Sequence, residues 1–181
     1  LDGAAAVAYD AAAKLAFVAS AAGGSLTVVD VSDPSAPSVV GTLGSLAGAS
    51  SVAHDAATQR MFVACSGASS LVVVDVSTPS APSLEGTLSG DGALDGATGV
   101  AYDDATQRVL VACAAADSLA VVDVSDPASP SLVGFVSDPS GLNGASGVAL
   151  DAAAQLAFVV SAAGDSLTVV DVSNPSAPSV V

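Results

Sequence analysis

The chain has 181 residues, 51% of them hydrophobic, with 18 acidic residues against three basic ones and a formal net charge of −15. That length suits one ordinary domain with a sizeable core, and with aromatics at 3% and no Trp the core must be built from Val, Ala and Leu. Three basic residues exclude the clustered positive charge that nucleic acid or an anionic membrane surface requires, and no apolar run reaches the ~18 residues of a membrane-spanning helix.

The sequence SLTVVDVSDPSAPS at residues 25–38 returns with small changes at 70–83, 118–131 and 166–179. Its central aspartates, Asp30, Asp75, Asp123 and Asp171, are spaced by 45, 48 and 48 residues. A fixed period in this range marks a repeat architecture. The chain reads as a single domain, 1–181, of four repeats at about 1–45, 46–93, 94–141 and 142–181.

Each repeat predicts four short strands separated by turn signals. The first strand covers residues 6–10, 51–55, 99–103 and 147–151, each ending on Asp. After a short turn, the second covers 15–20, 60–65, 108–113 and 156–161. Small-residue turns lead into the third strand, the Val-Val-Asp-Val core. Paired prolines then stop it: Pro34 and Pro37, Pro79 and Pro82, Pro127 and Pro130, Pro175 and Pro178. Proline donates no ladder hydrogen bond and fixes φ, so these segments are rigid corners. The fourth strand follows at 38–43, 83–88 and 131–136, and in the last repeat it is cut off at Val181.

The third strands are nearly continuous apolar runs, which predicts sheets covered on both faces. Ala-rich stretches such as 11–13 are too short and broken to be helices. Four-stranded antiparallel sheets stacked at a fixed period describe an all-β, propeller-type array of four blades, the last incomplete. Other blades or copies would complete the ring, or the blades would form an open or polymeric array. The chain opens at Leu1 without Met or a signal peptide, and reads as mature, trimmed or part of something longer.

Val28 to Pro34, Val-Val-Asp-Val-Ser-Asp-Pro, resembles the LVIVD-type propeller repeat, and Val100 to Arg108 resembles the first hairpin of the YVTN-type repeat. The resemblance runs over essentially the whole chain, four times. It implies an extracellular or cell-surface protein without enzymatic activity, used as a structural or adhesive module. Termini in phase with the repeat add an expectation of self-association, into rings or a surface filament. Glycans or other surface proteins are further partners to expect. The alternative is a piece of a larger ligand-binding or hydrolase-type propeller whose site lies in further blades.

Residues that could carry chemistry are few. Asp10, Asp55, Asp103 and Asp151 close the first strands, and a ring of carboxylates could hold Ca²⁺. Their repetition in every blade points instead to turn capping. Asp91 and Asp95 sit among glycines as weak Ca²⁺ candidates without Ca²⁺-loop spacing, in what reads as a flexible linker. The single His54 takes a slot held elsewhere by Tyr9, Tyr102 and Leu150, and reads as a packing residue. Cys65 and Cys113 share one slot in successive repeats and read as small buried thiols. One Glu (Glu85) and two Asn (Asn143, Asn174) complete the inventory, and neither a catalytic set nor a cofactor site is expected. The corners, with Ser35, Ser80 and Ser176 beside the prolines named above, could bear O-linked sugars or modified proline.

Overall fold

The computed structural model describes residues 1–90 and 92–181, and these form strands joined by turns, with no helix. The first sheet contains β1 (Ala4–Asp10), β2 (Leu15–Ser20), β3 (Ser25–Asp30) and β4 (Ser38–Leu43). The second contains β5 (Ala49–Asp55), β6 (Arg60–Cys65), β7 (Ser70–Asp75) and β8 (Ser83–Ser89). The third contains β9 (Ala97–Asp103), β10 (Arg108–Cys113), β11 (Ser118–Asp123) and β12 (Ser131–Ser137). The fourth contains β13 (Ala145–Asp151), β14 (Leu156–Ser161), β15 (Ser166–Asp171) and a two-residue β16 (Ser179–Val180). Strand order in every sheet follows the chain, an antiparallel meander. The first strands β1, β5, β9 and β13 lie side by side, and the sheets stack face to face without closing a ring.

The second strands fall where the sequence places them. The first strands start two residues earlier than expected, because one residue bulges out of the ladder after the first pair. Ala5, Ser50, Thr98 and Ser146 are those residues. A bulge breaks the alternation that the sequence pattern relies on. A second bulge recurs in the outer strand at Val40, Glu85 and Val133, next to Gly41, Gly86 and Gly134. The third strands end at the aspartates, and Val31, Val76, Val124 and Val172 instead donate their N–H to Lys14, Gln59, Gln107 and Gln155. Those four residues adopt positive φ of 53° to 57°, which closes each first hairpin identically.

Three apolar layers fill the gaps between successive sheets. The first joins Phe17, Leu26 and Val28 to Met61, Val63 and Val74. The second joins Phe62, Leu71 and Val73 to Val109, Val111 and Val122. The third joins Leu110, Leu119 and Val121 to Ala157, Val159 and Val170. Fully burying one such Leu or Phe contributes about 1.5–3 kcal/mol. The third strands of the inner sheets, β7 and β11, are buried on both faces up to their aspartates, as their continuous apolar runs require.

The links between sheets are not simple linkers. Leu46, Leu94 and Leu142 each drop from a Gly-containing loop into one of the three layers and are fully buried. Hydroxyls on the bulged residues add a second tie: Ser50 Oγ lies 3.2 Å from the Ala97 carbonyl and Thr98 Oγ1 lies 2.8 Å from the Ala145 carbonyl, each donating across to the next sheet.

Candidate functional site

The repeated acids are committed to their own turns. Asp10 Oδ1 accepts N–H groups of Ala12 and Ala13 at 2.9 and 3.0 Å, and Asp151 does the same for Ala153 and Ala154. Asp55 and Asp103 also accept the hydroxyls of Thr58 and Thr106. Asp30, Asp75, Asp123 and Asp171 each accept the N–H two residues on, at 2.8 Å. Amide and hydroxyl donors of this kind favour the charged form. They hold the Asp10 carboxyl below its usual range through Ala13, and those of Asp30 and Asp75 through Ser32 and Ser77. For Asp55, burial pushes upward, but the bonds from Thr58, Ala57 and Tyr102 prevail and the net direction is down.

His54 packs its ring on Phe17, 4.9 Å between centroids, across the first joint. Burial lowers its pKa, and the neighbouring Asp10 and Asp55 only partly oppose that. Tyr102 fills the same slot at the second joint, stacked 4.6 Å from Phe62, and its hydroxyl donates to Asp55 Oδ2 at 3.1 Å. Burial, together with the Asp55 charge, pushes the Tyr102 phenol up to about 12. His54, Asp55, Tyr102 and Asp104 line an open cavity of about 430 Å³ on this rim. Cys65 and Cys113 are both buried, and burial raises the Cys65 thiol to about 11. Glu85 receives a two-point ion pair from Arg60, at 2.8 and 2.9 Å. Asn174 accepts a hydrogen bond from the Ser176 hydroxyl, and the Asn143 carbonyl accepts one from Gly164 N–H.

Asp91 lies outside the described residues, and Asp95 is exposed, with its carbonyl accepting the N–H groups of Ala115 and Ala116. Among the described residues, no group of three or more His, Cys, Asp or Glu side chains is placed to hold a metal ion. At the corners, Ser35, Ser80 and Ser176 are exposed, whereas Pro82, Pro130 and Pro178 are buried and Pro79, Pro127 and Pro175 half-buried. Pro34 and Pro37 alone of the eight are exposed.

That difference belongs to a larger pattern at the two ends of the stack. Each sheet has one face turned to the sheet before it and one to the sheet after it. The outward face of the first sheet carries Leu1, Val7 and Tyr9, exposed by 65%, 64% and 53%. In later repeats these slots hold Leu46, Leu94 and Leu142, then Val52, Val100 and Val148, then His54, Tyr102 and Leu150, all packed into a joint. The outward face of the fourth sheet carries Val160 and Leu167, exposed by 49% and 64%, beside a half-buried Phe158. Their counterparts in the inner layers, such as Phe17, Phe62, Leu26, Leu71 and Leu119, are buried to within 1%. Sequence reasoning placed Val7, Tyr9, Val160 and Leu167 on strands but not on open faces, because the same residue types occupy covered and uncovered slots.

Sequential four-stranded meanders stacked around adjacent first strands define a β-propeller-type protein. The LVIVD repeat profile matches residues 14–44, 61–89, 112–138 and 157–181, more than half of the chain, and the chain belongs to the LVIVD repeat family. A comparison with curated proteins gives no match. Among solved structures it resembles the Cps50 (Swd1) β-propeller domain of Myceliophteria thermophila, with a TM-score of 0.73 at 12% identity over 92% of this chain and 52% of that one. It also resembles a periplasmic gluconolactonase of Pseudomonas aeruginosa, with a TM-score of 0.80 at 13% identity over 98% and 52%. Hydrazine synthase of Kuenenia stuttgartiensis matches with a TM-score of 0.76 at 16% identity over 100% and 50%. The chain thus spans about half the length of these structures, and at such identities the likeness is one of fold.

Proposed function

We propose that this protein is a non-enzymatic structural or adhesive module at the cell surface or outside the cell, which associates with copies of itself through the ends of its blade stack. The observation that carries the reading is the exposure of Leu1, Val7, Tyr9, Val160 and Leu167 in slots that the internal joints bury or half-bury. Apolar residues grouped on an open face mark an interaction site, and the first face is built to receive what the fourth presents. Such a contact is heterologous, and repeated addition gives a closed ring or a filament. The non-catalytic part of the reading is supported by the commitment of each repeated Asp to its own turn and by the scarcity of His, Glu and Asn. The location outside the cell rests on the family resemblance.

Negative-stain electron microscopy tests this reading. Filaments with a regular axial repeat, or rings of blades, are the expected result, and dispersed single particles of 181 residues would overturn it. The cavity beside His54, Asp55, Tyr102 and Asp104 favours a second reading, in which these blades form part of a ligand-binding propeller. A small-molecule screen by melting temperature, compared with a Tyr102→Phe variant, tests that alternative.

A further inference from the structure

The second and third joints are built from the same slots but filled differently. At the second joint Phe62 and Tyr102 stack, and Asp55 Oδ2 accepts both the Thr58 and the Tyr102 hydroxyls. At the third joint Leu110 and Leu150 take the places of that ring pair, and Leu150 brings no hydroxyl. Asp103 Oδ2, the counterpart of Asp55 Oδ2, accepts the Thr106 hydroxyl at 2.7 Å and, among the described residues, no second donor. The arginine beside it differs too. Arg60 Nε donates to Glu85 Oε2 at 2.8 Å, whereas Val133 holds the bulge position of Glu85 in the third sheet. Arg108 Nε is buried and has no hydrogen-bond partner among the described residues. A buried donor left in that state bears the whole cost of losing its hydration.

Two smaller side chains in place of two rings leave a cavity whose lining includes Asp103, Thr106, Arg108, Leu110, Leu150 and Gln155. It offers about 10 Å³ to the centre of a water-sized sphere, the space of one water. The charges around it restrict the occupant further. Arg108 pairs in register with Asp103 on one side and Asp123 on the other, so the guanidinium repels a cation and the carboxylates repel an anion. An apolar occupant would leave Arg108 Nε unpaired. We propose that a single water molecule fills this cavity, accepting the Arg108 Nε–H and donating to Asp103 Oδ2 and to the Gln155 side-chain carbonyl. The Gln155 amide nitrogen already donates to the Ala152 carbonyl at 2.6 Å, which leaves its oxygen to accept. Three polar partners are the usual number for a buried water. The water does at the third joint what the Tyr102 hydroxyl does at the second, and the site is independent of what the ends of the stack bind.

A crystal structure of the full chain that shows ordered water tests the site. One water is expected within about 3 Å of both Arg108 Nε and Asp103 Oδ2. A cavity without density, a halide located there by anomalous scattering after a bromide soak, or Arg108 Nε donating to a protein acceptor instead would each overturn it. Magnetic relaxation dispersion of ¹⁷O counts long-lived waters in solution. Leu150→Tyr returns the hydroxyl to the slot and should hold one such water fewer than the unaltered chain; an equal count would overturn the site. Leu150→Phe fills the same space without a hydroxyl and should show the same loss, so the count stands even if the tyrosine variant does not fold.

Discussion

Phe62 of the second sheet and Tyr102 of the third stack with centroids 4.6 Å apart and a 34° tilt, and the Tyr102 hydroxyl reaches back to Asp55. One residue pair thus joins the apolar layer to the polar rim. The same slots hold Phe17 and His54 at the first joint and Leu110 and Leu150 at the third. At the ends of the stack they hold Tyr9, which is exposed, and Phe158, which is half-buried.

Truncating Phe62 should therefore be costly. Phe62→Ala is expected to lower unfolding free energy by about 3–5 kcal/mol, the usual range for a fully buried Phe. Phe158→Ala removes the same side chain from a half-open face and should cost well under half as much in the monomer. Urea denaturation of both variants checks this, and equal losses would mean that the fourth sheet's outer face is as packed as the inner ones.

Tyr102→Phe keeps the ring and deletes one hydrogen bond. The expected loss is about 1 kcal/mol, with the Asp55 carboxyl titrating at a higher pH because one of its donors is gone. Side-chain carbonyl shifts followed by NMR across an acid titration would show it.

The buried loop leucines give a third test. Leu94→Ala should destabilise by about 2–5 kcal/mol, since Leu94 fills the second layer. Leu1→Ala, at the equivalent but exposed position, should leave monomer stability unchanged. Thermal melts at low protein concentration separate the two cases.

Much of this fold was legible in the residues because the pattern is written four times. The second strands and the proline corners fall where spacing put them, and the turn aspartates cap as their position after a strand suggests. The bulges at Ala5, Ser50, Thr98 and Ser146 were not legible, since an extra small residue leaves no mark on a sequence already rich in Ala and Ser. Leu94 looked like part of a flexible linker because Gly and Asp surround it. A signal was present: leucine recurs at 1, 46, 94 and 142, always with glycine two residues on. At Gly41, Gly86 and Gly134 a Cβ would meet the carbonyl of Pro79, Pro127 or Pro175 in the next repeat, a close approach that no local pattern reports.

Acid should weaken the protein in two stages. His54 has a folded pKa below its ordinary 6.5 because burial opposes the charge. Below the unfolded pKa the unfolded state binds the proton more readily, so stability falls as pH drops from about 6.5 toward the lower folded value. Asp10, Asp55 and Asp75 also have depressed pKa values, and their contribution is lost as pH falls below 3.8. Urea midpoints measured from pH 8 to 3 should show both declines. His54→Leu should remove the upper one alone.

The central claim is that the first and fourth faces bind each other, and sedimentation velocity on two complementary variants tests it most directly. Tyr9→Asp disables the first face and Leu167→Asp the fourth. The account predicts larger species for the unaltered chain, monomers for each variant alone, and a discrete dimer when the two variants are mixed. An unaltered chain that stays monomeric at all concentrations, or a variant that dimerises by itself, would contradict it.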